Sequence, residues 1–282
     1  REQPPQGIEV TVLYGSYKLM ATFEFGGTEL SSFGSVAVLN DYLSTPARRG
    51  DNIVIPFHHG SVFVKKFYEE RVMTFGIAVQ AADLTALETA LDNMRVLFAP
   101  NTEQLLEETM GDTSIRNAYA SVNAPIQVEM FGPRMAKVIV EFVLSCPFFR
   151  AENAITSTIA TIDADNHALV VDNTGTVEER DPHIILTGPL NDVVITNDNG
   201  LVLTYTGDIP SGSHVDIYTS ATGGYVAYLD DGSPPLVNVI GNVTHTGDTA
   251  LMTFDVGENN LSIHSDVTST GTVEVTFYPP YA

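Results

Sequence analysis

The second half of the chain is a succession of short apolar segments separated by turn residues at regular spacing. From about Ile155 onward, apolar residues no longer recur every three or four positions, as they do on one face of a helix. Short strands joined by frequent turns favour an antiparallel β-sandwich, in which each strand buries alternate side chains between two sheets. The predicted strands are Ile184–Leu186, Asp192–Thr196, Leu201–Thr206, His214–Tyr218, Thr249–Asp255, Leu261–His264 and Thr272–Tyr278.

In the middle of the first half, the spacing of apolar residues changes within a few positions from that of a strand to that of a helix. Arg71–Gln80 alternates apolar with other side chains, as a half-buried strand does. Apolar residues then recur every three or four positions, which predicts a helix capped by Asp83 and stopped by Pro100. Thr85 and Glu88 also fit a capping box. The apolar face of this helix comprises Leu84, Leu87, Leu91, Met94 and Phe98.

The rest of the first half predicts a hairpin, a second short helix and a long arm. The hairpin joins Ile126–Met130 to Ala136–Leu144 through the turn Phe131-Gly132-Pro133-Arg134, and the short helix spans Thr102–Met110. Phe33–Asn52 is expected to be a long loop or extended arm that grips a neighbour. Two earlier strands are predicted at Val10–Tyr14 and Lys18–Phe25. The first half is therefore α+β, a sheet or sandwich flanked by one helix.

The charge of the chain is distributed unevenly between its two halves. Residues 1–150 carry 12 Lys and Arg against 17 Asp and Glu, whereas residues 151–282 carry one basic residue, Arg180, against 18 acidic ones. The formal charges of −5 and −17 make up the total of −22. This change predicts two domains, 1–154 and 155–282. Nucleic-acid binding by the second is not expected, because phosphate binding needs Lys and Arg.

The single cysteine, Cys146, excludes an intrachain disulfide framework and a multi-thiolate metal site. It lies in the apolar run Leu144–Phe149, where a small buried hydrophobic residue is a better interpretation than a nucleophile. Membrane insertion is not expected, because no apolar run approaches the roughly 20 residues that cross a bilayer.

Motifs that carry chemistry are weak or incomplete. His58 and His59 are adjacent, so they favour a polar loop over a chelate. Asp163-Ala164-Asp165-Asn166 resembles the start of a calcium loop, but Ala168 and Thr174 stand where Gly and Glu are required. Asp230-Asp231-Gly232-Ser233 is interpreted as a turn. No catalytic, cofactor-binding or metal-binding residue is predicted, no cofactor is expected, and the chain is not expected to be an enzyme.

Two stretches of sequence, taken in order, resemble the distal tail protein family of long-tailed siphophages. The first contains Ile53-Val54-Ile55-Pro56-Phe57-His58-His59-Gly60, Tyr68-Glu69-Glu70-Arg71, the strand Val72–Val79 and Cys146-Pro147-Phe148-Phe149. The second contains Asn173-Thr174-Gly175, Pro182-His183-Ile184, Thr187-Gly188, Val194–Asn197, Leu203–Tyr205, Ile209–Gly212, Gly257–Leu261 and Val273–Tyr281. The turn Phe57-His58-His59 departs from the family, in which it is usually smaller and more charged.

The resemblance implies a fold and a structural role in a virion. The fold is a tail-tube-like ring domain with an N-terminal arm, over 1–154, followed by a galectin-like sandwich, over 155–282. Six copies would form a ring at the distal end of the phage tail that joins the tail-tube protein to the tail-tip hub or baseplate. Receptor-binding or side-fibre proteins are further partners of such rings. DNA would pass through the lumen without specific binding, and assembly would take place in the host bacterial cytoplasm.

Two other functions are compatible with the sequence. A carbohydrate-binding adhesion module is one, since galectin-like sandwiches include lectins, and Tyr225 with Tyr228 would form its platform. Core or turn packing of these two tyrosines is the simpler interpretation, because the chain has no Trp and only Arg180 as a basic group in this half. The other is a tail-tube subunit or another baseplate adaptor. The complete second sandwich and the closing Tyr278-Pro279-Pro280-Tyr281 favour the distal tail protein.

Overall fold

The computed structural model describes residues 21–40, 45–55, 59, 61–64, 66–160, 162, 166–220, 224–246, 250–266 and 271–282. Over these residues the chain is mainly β, with one α-helix, α1 (Leu84–Phe98), and 3-10 turns at Leu30–Phe33 and Ile240–Asn242. The strands are β1 (Thr22–Phe25), β2 (Thr28–Glu29), β3 (Ser35–Val38), β4 (Arg48–Arg49), β5 (Ile53–Val54), β6 (Ser61–Val62), β7 (Phe67–Tyr68), β8 (Arg71–Gln80), β9 (Gln104–Thr109), β10 (Ile115–Val122), β11 (Gln127–Met130), β12 (Met135–Leu144), β13 (Phe149–Ala151), β14 (Ile155–Ala160), β15 (His167–Asn173), β16 (His183–Thr187), β17 (Leu190–Asn197), β18 (Val202–Ile209), β19 (His214–Thr219), β20 (Tyr225–Asp230), β21 (Val237–Asn238), β22 (Val243–His245), β23 (Gly257–His264), β24 (Thr272–Phe277) and β25 (Pro280–Tyr281). The predicted mainly β fold is confirmed.

The chain folds into two compact units that do not follow one another simply along the sequence. The first unit groups the described parts of 1–42, 72–114 and 121–142. The second groups those of 43–71, 115–120 and 143–282. The predicted domain boundary between residues 154 and 155 stays a prediction.

The first unit is organised around β8, as its alternating sequence predicts. Met73, Phe75 and Ile77 of this strand are fully buried. Strands β2, β1 and β9 lie side by side, as do β12, β8 and β3, and β11 pairs with β12. A cluster of phenylalanine rings fills the core, with centroids 4.7 to 6.0 Å apart. Its members are Phe23, Phe25, Phe75, Phe98 and Phe142.

Helix α1 has the predicted bounds, and its apolar face is buried except at the first residue. Leu87, Leu91, Met94 and Phe98 are buried, whereas Leu84 is 45% exposed because it begins the first turn. The Asp83 carboxylate accepts a hydrogen bond of 2.8 Å from the backbone N–H of Ala86. The predicted capping box is wrong, since Thr85 lies inside the helix that Asp83 caps.

Replacing Asp83 with alanine should lower the free energy of unfolding by about 1 kcal/mol, because the cap satisfies a backbone donor that has no partner within the helix. Urea denaturation followed by circular dichroism measures this loss. Asp92→Ala is the matched control, since Asp92 lies on an exposed part of the same helix and pairs with the exposed Arg95. Equal losses in the two variants would show that the cap does not stabilise the helix.

The predicted hairpin is confirmed, whereas the second short helix is wrong. Strands β11 and β12 pair antiparallel, with Met130 opposite Ala136. The segment predicted as a helix at Thr102–Met110 forms β9, which pairs with β1 and places Leu106 opposite Phe25. Leu106 and Glu108 alternate as buried positions. Tertiary burial against β1 therefore overrides the helix propensity of the Leu and Glu residues.

The predicted arm at Phe33–Asn52 is also wrong in part, because Ser35–Val38 forms strand β3 against β8. Val36 lies opposite Ile77. After this strand, the Asn40 side chain makes two hydrogen bonds to the β8 backbone. It donates to the Val72 carbonyl at 2.6 Å and accepts from the Thr74 N–H at 3.1 Å. The predicted strand Val10–Tyr14, like residues 41–44 of the arm, lies outside the described residues, and the described end of Lys18–Phe25 is β1.

The described part of the second unit contains the predicted antiparallel sandwich. One sheet has the order β14-β24-β16-β19-β20-β21 and the other the order β15-β23-β17-β18-β22. Apolar side chains from both sheets form one buried cluster that includes Ile184, Ile195, Ile217, Ile263 and Val275. The prediction omitted β14, β15, β20, β21 and β22.

The predicted strand at Thr249–Asp255 is wrong over its described residues. Leu251, Met252 and Phe254 are fully buried, but only a single bridge to Glu179 is formed. The backbone of this segment is hydrogen-bonded mainly by asparagine side chains. Asn173 and Asn197 donate to the carbonyls of Phe254 and Thr253, at 3.1 and 3.0 Å, and the Asn259 side chain accepts from the Asp255 N–H at 2.8 Å. Asparagine side chains thus supply hydrogen bonds that the backbone of a neighbouring strand would otherwise provide.

Candidate functional site

The sequence motifs with possible metal-binding residues do not form a site within the described parts of the chain. No group of three or more His, Cys, Asp or Glu residues is arranged there to hold a metal ion. His59 is exposed, while His58 and Asp163–Asp165 lie outside the described residues. Asp230–Ser233 forms the predicted turn, in which the Asp230 and Asp231 carboxylates accept from backbone N–H groups at 2.8 and 2.9 Å. None of the described helices is both long and apolar enough to span a membrane.

The predicted burial of Cys146 is wrong, because its side chain is exposed. Leu144 ends β12 in a buried position, and the chain then bends outward through Ser145 and Cys146 before Phe149 returns to the interior. The apolar run suggested continuous burial, but the strand ends within it.

Tyr225 and Tyr228 do not form a joint platform. They stand three residues apart on β20, so their side chains point to opposite faces of the sheet. Tyr225 packs against the sandwich core and contacts His245, with ring centroids 5.3 Å apart. Burial raises the pKa of the Tyr225 hydroxyl, and nearby Asp181 adds to this shift. Core packing is therefore confirmed for Tyr225, whereas Tyr228 lies on the face of the sheet that points away from the core.

Exposed apolar side chains form two candidate assembly surfaces. The first, here called the apolar arm, lies on and after the β5–β6 hairpin, where Ile53 pairs with Val62. Phe63 is 74% exposed, and its neighbours on the arm are Ile53, Ile55, Val62 and Val64. Monomeric proteins rarely expose contiguous apolar residues of this kind, which mark sites of association.

The second surface, the hairpin tip, lies at the turn between β11 and β12. Met130, Phe131 and Met135 are each about half exposed there, at 48%, 56% and 45%. The turn is closed by the Phe131 N–H, which donates to the Met135 carbonyl at 2.8 Å, and by Gly132 with φ +94°. A hydrogen-bonded turn thus presents three large apolar side chains to solvent, a feature that the hairpin prediction did not include.

An ion pair between a fully buried carboxylate and a guanidinium side chain that is 31% exposed joins distant parts of the second unit. The guanidinium of Arg150, on β13, donates to the fully buried Glu179 carboxylate at 2.8 Å. The same carboxylate accepts from the backbone N–H groups of Arg180 and Asp181 at 3.0 and 2.6 Å. Arg150 also donates to the Tyr278 carbonyl at 3.2 Å, next to β25, which pairs with β13. Arg150 therefore links Glu179 to the segment around Tyr278 through side-chain hydrogen bonds.

Opposing effects act on the two ionised groups. Burial raises the pKa of the Glu179 carboxyl, and the positive charge of Arg150 only partly opposes this shift. Burial lowers the pKa of Arg150, but the Glu179 carboxylate, together with Cys146 and Asp181, more than compensates, so the pKa is raised overall. Sequence reasoning missed this pair, because 29 residues separate its members and neither lies in a motif.

Comparison with solved structures shows what this architecture resembles. The Dit protein (gp 19.1) of phage SPP1, described as a paradigm of the hub adsorption apparatus in phages that infect Gram-positive bacteria, aligns with a TM-score of 0.55. The alignment covers 92% of this chain and 98% of that chain at 13% identity. The chain shares the fold of this Dit protein.

Two further alignments are with chains of the phage p2 baseplate in its activated conformation, with Ca and with Sr. Each has a TM-score of 0.42 at 9% identity and covers 91% of this chain, with 97% and 98% of the respective p2 chains. A TM-score of 0.42 is too low to establish a common fold. No protein-family model matches the chain, and no curated protein has a significantly similar sequence.

Proposed function

We propose that this chain is a structural protein of a phage virion, a distal tail protein that forms a six-membered ring between the tail tube and the tail-tip hub or baseplate. The observation that carries the proposal is the shared fold with phage SPP1 Dit, which extends over nearly the whole of both chains. The order of sequence motifs from residue 53 to residue 281 supports it independently, since those motifs resemble the same family.

The exposed apolar surfaces support self-association as part of this function. The apolar arm and the hairpin tip expose large apolar side chains on short hairpins, which in a monomer would remain in water. In the proposed ring they pack against neighbouring copies. Residues 1–154 form the ring, and residues 155–282 project outward from it.

The strong negative charge fits a ring through which DNA passes. Six copies at −22 each give −132 formal charges. Acidic groups facing a lumen repel the phosphate backbone, so DNA would not adhere during ejection. No catalytic group is needed for this role, and the chain acts as a connector at the distal end of the tail.

Multi-angle light scattering of the purified chain tests the proposed assembly. Six copies of 30.5 kDa give an expected mass of 183 kDa. A mass that corresponds to another closed oligomer, such as a dimer or a tetramer, would contradict the proposed ring.

A further inference from the structure

The exposed surface of the six-stranded sheet in the second unit carries a cluster of aromatic and ionisable side chains. Strands β16, β19 and β20 lie side by side there, and their alternate residues Ile184, Ile217 and Ala227 are buried in the core. The residues between them point away from the core. We call this surface the outer sheet face, and its cluster comprises His183, His214, Asp216, Tyr218, Tyr228 and Asp230.

The members of this cluster hold one another in place. The Asp216 carboxylate lies between two imidazoles, with Oδ1 2.9 Å from Nε2 of His183 and Oδ2 3.3 Å from Nε2 of His214. Oδ2 of Asp230 is 3.9 Å from the same His214 nitrogen. Because these contacts restrict its side chains, the outer sheet face would lose little conformational entropy when a partner binds.

The aromatic rings extend this ordered cluster across three strands. The His183 ring stands edge-on to Tyr218, with centroids 5.4 Å apart, and Tyr218 lies 6.5 Å from Tyr228. Tyr228 also lies directly opposite Asp216 in the strand pairing. Two phenol rings and two carboxylates are therefore interleaved on one surface.

The outer sheet face carries carboxylates that no Lys or Arg of its own strands neutralises. The strands that form the sheet, 155–160, 183–187, 214–219, 225–230, 237–238 and 272–277, contain no Lys or Arg. Glu274 of the neighbouring β24 adds a third carboxylate. The side chains are accessible, with exposed fractions of 40% for His183, 37% for His214, 34% for Asp230 and 23% for Asp216.

We propose that the outer sheet face docks an arginine-bearing segment of a partner protein. A guanidinium can stack on a phenol ring and donate in parallel to a carboxylate, which matches the interleaved Tyr and Asp side chains. The negative charge attracts a cationic segment and gives no advantage to a neutral saccharide. This inference goes beyond the ring, because it concerns a partner on a different surface.

Fluorescence anisotropy with a labelled hexa-arginine peptide tests the proposal at about 150 mM salt, where distant charges are screened. Asp216→Asn with Asp230→Asn should weaken binding about 10-fold, because the variant removes two charged contacts between the peptide and partly exposed carboxylates. Asp172→Asn with Glu258→Gln is the matched control. These two exposed residues lie opposite each other on the five-stranded sheet, and the change in net charge is the same.

Three outcomes decide the question. A loss confined to the Asp216 and Asp230 variant supports the docking surface. Equal losses in the two double variants would overturn it, because the peptide would then respond only to overall charge. Binding of a neutral saccharide on a glycan array, abolished in the Asp216 and Asp230 variant, would also overturn it and make this face a sugar site.

Discussion

Replacing Phe63 with serine should convert the proposed 183 kDa ring to 30.5 kDa monomers. Phe63 is 74% exposed in the isolated chain, so its removal should leave folding unchanged. In a ring it would be buried against a neighbour, and burial of a phenylalanine contributes about 1.5 to 3 kcal/mol at each contact. A closed ring of six repeats this loss at every interface. Light scattering measures the mass, and thermal unfolding monitored by circular dichroism confirms that the subunit remains folded.

Val256→Ser is the matched control for this prediction. Val256 is 55% exposed and lies just before β23 in the acidic sandwich, which in our proposal projects away from the ring. The mass of this variant should remain at 183 kDa. If Phe63→Ser also retained the full mass, the apolar arm would not be an assembly surface.

Replacing Arg150 with methionine should lower the free energy of unfolding by about 3 kcal/mol, because it leaves the Glu179 carboxylate buried without its cation. The loss should depend on pH. Burial already raises the pKa of Glu179, and removal of Arg150 raises it further. When a carboxyl has a raised pKa in the folded state, the folded protein is most stable below the ordinary pKa of 4.5. It loses stability as the pH rises through the folded-state pKa. The variant should therefore be relatively less stable at pH 7.5 than at pH 4.5.

Arg95→Met is the control for this experiment. Arg95 pairs with Asp92 on the surface of α1, where the two side chains are 57% and 68% exposed, so the loss should be below about 1 kcal/mol. Urea denaturation at both pH values measures the difference. A loss from Arg150→Met that is no larger than that of Arg95→Met, or that does not change with pH, would show that the buried pair is not coupled to folding.

Regular local patterns made much of the fold predictable from the sequence. Strand β8 and helix α1 have the predicted bounds because their apolar residues recur at the periods of two and about three and a half that burial on one face requires. The hairpin of β11 and β12 was predictable because its turn contains Gly132 and Pro133 between two alternating strands.

Features that depend on distant contacts were not predictable. Gln104–Thr109 is a strand because β1 pairs with it, and the buried segment before Asp255 depends on three asparagine side chains from other strands. The Arg150 and Glu179 pair has no local signal. The exposure of Phe63 and Cys146 was also not predictable. Both lie in apolar runs, which indicate burial unless the positions where the strands end are known.

Negative-stain electron microscopy of the purified chain tests the central claim most directly. Class averages of particles seen along their axis should show a ring of six subunits with an open centre wide enough for duplex DNA. Rings of another rotational symmetry, a centre filled with protein, or monomers alone at high protein concentration would contradict the account.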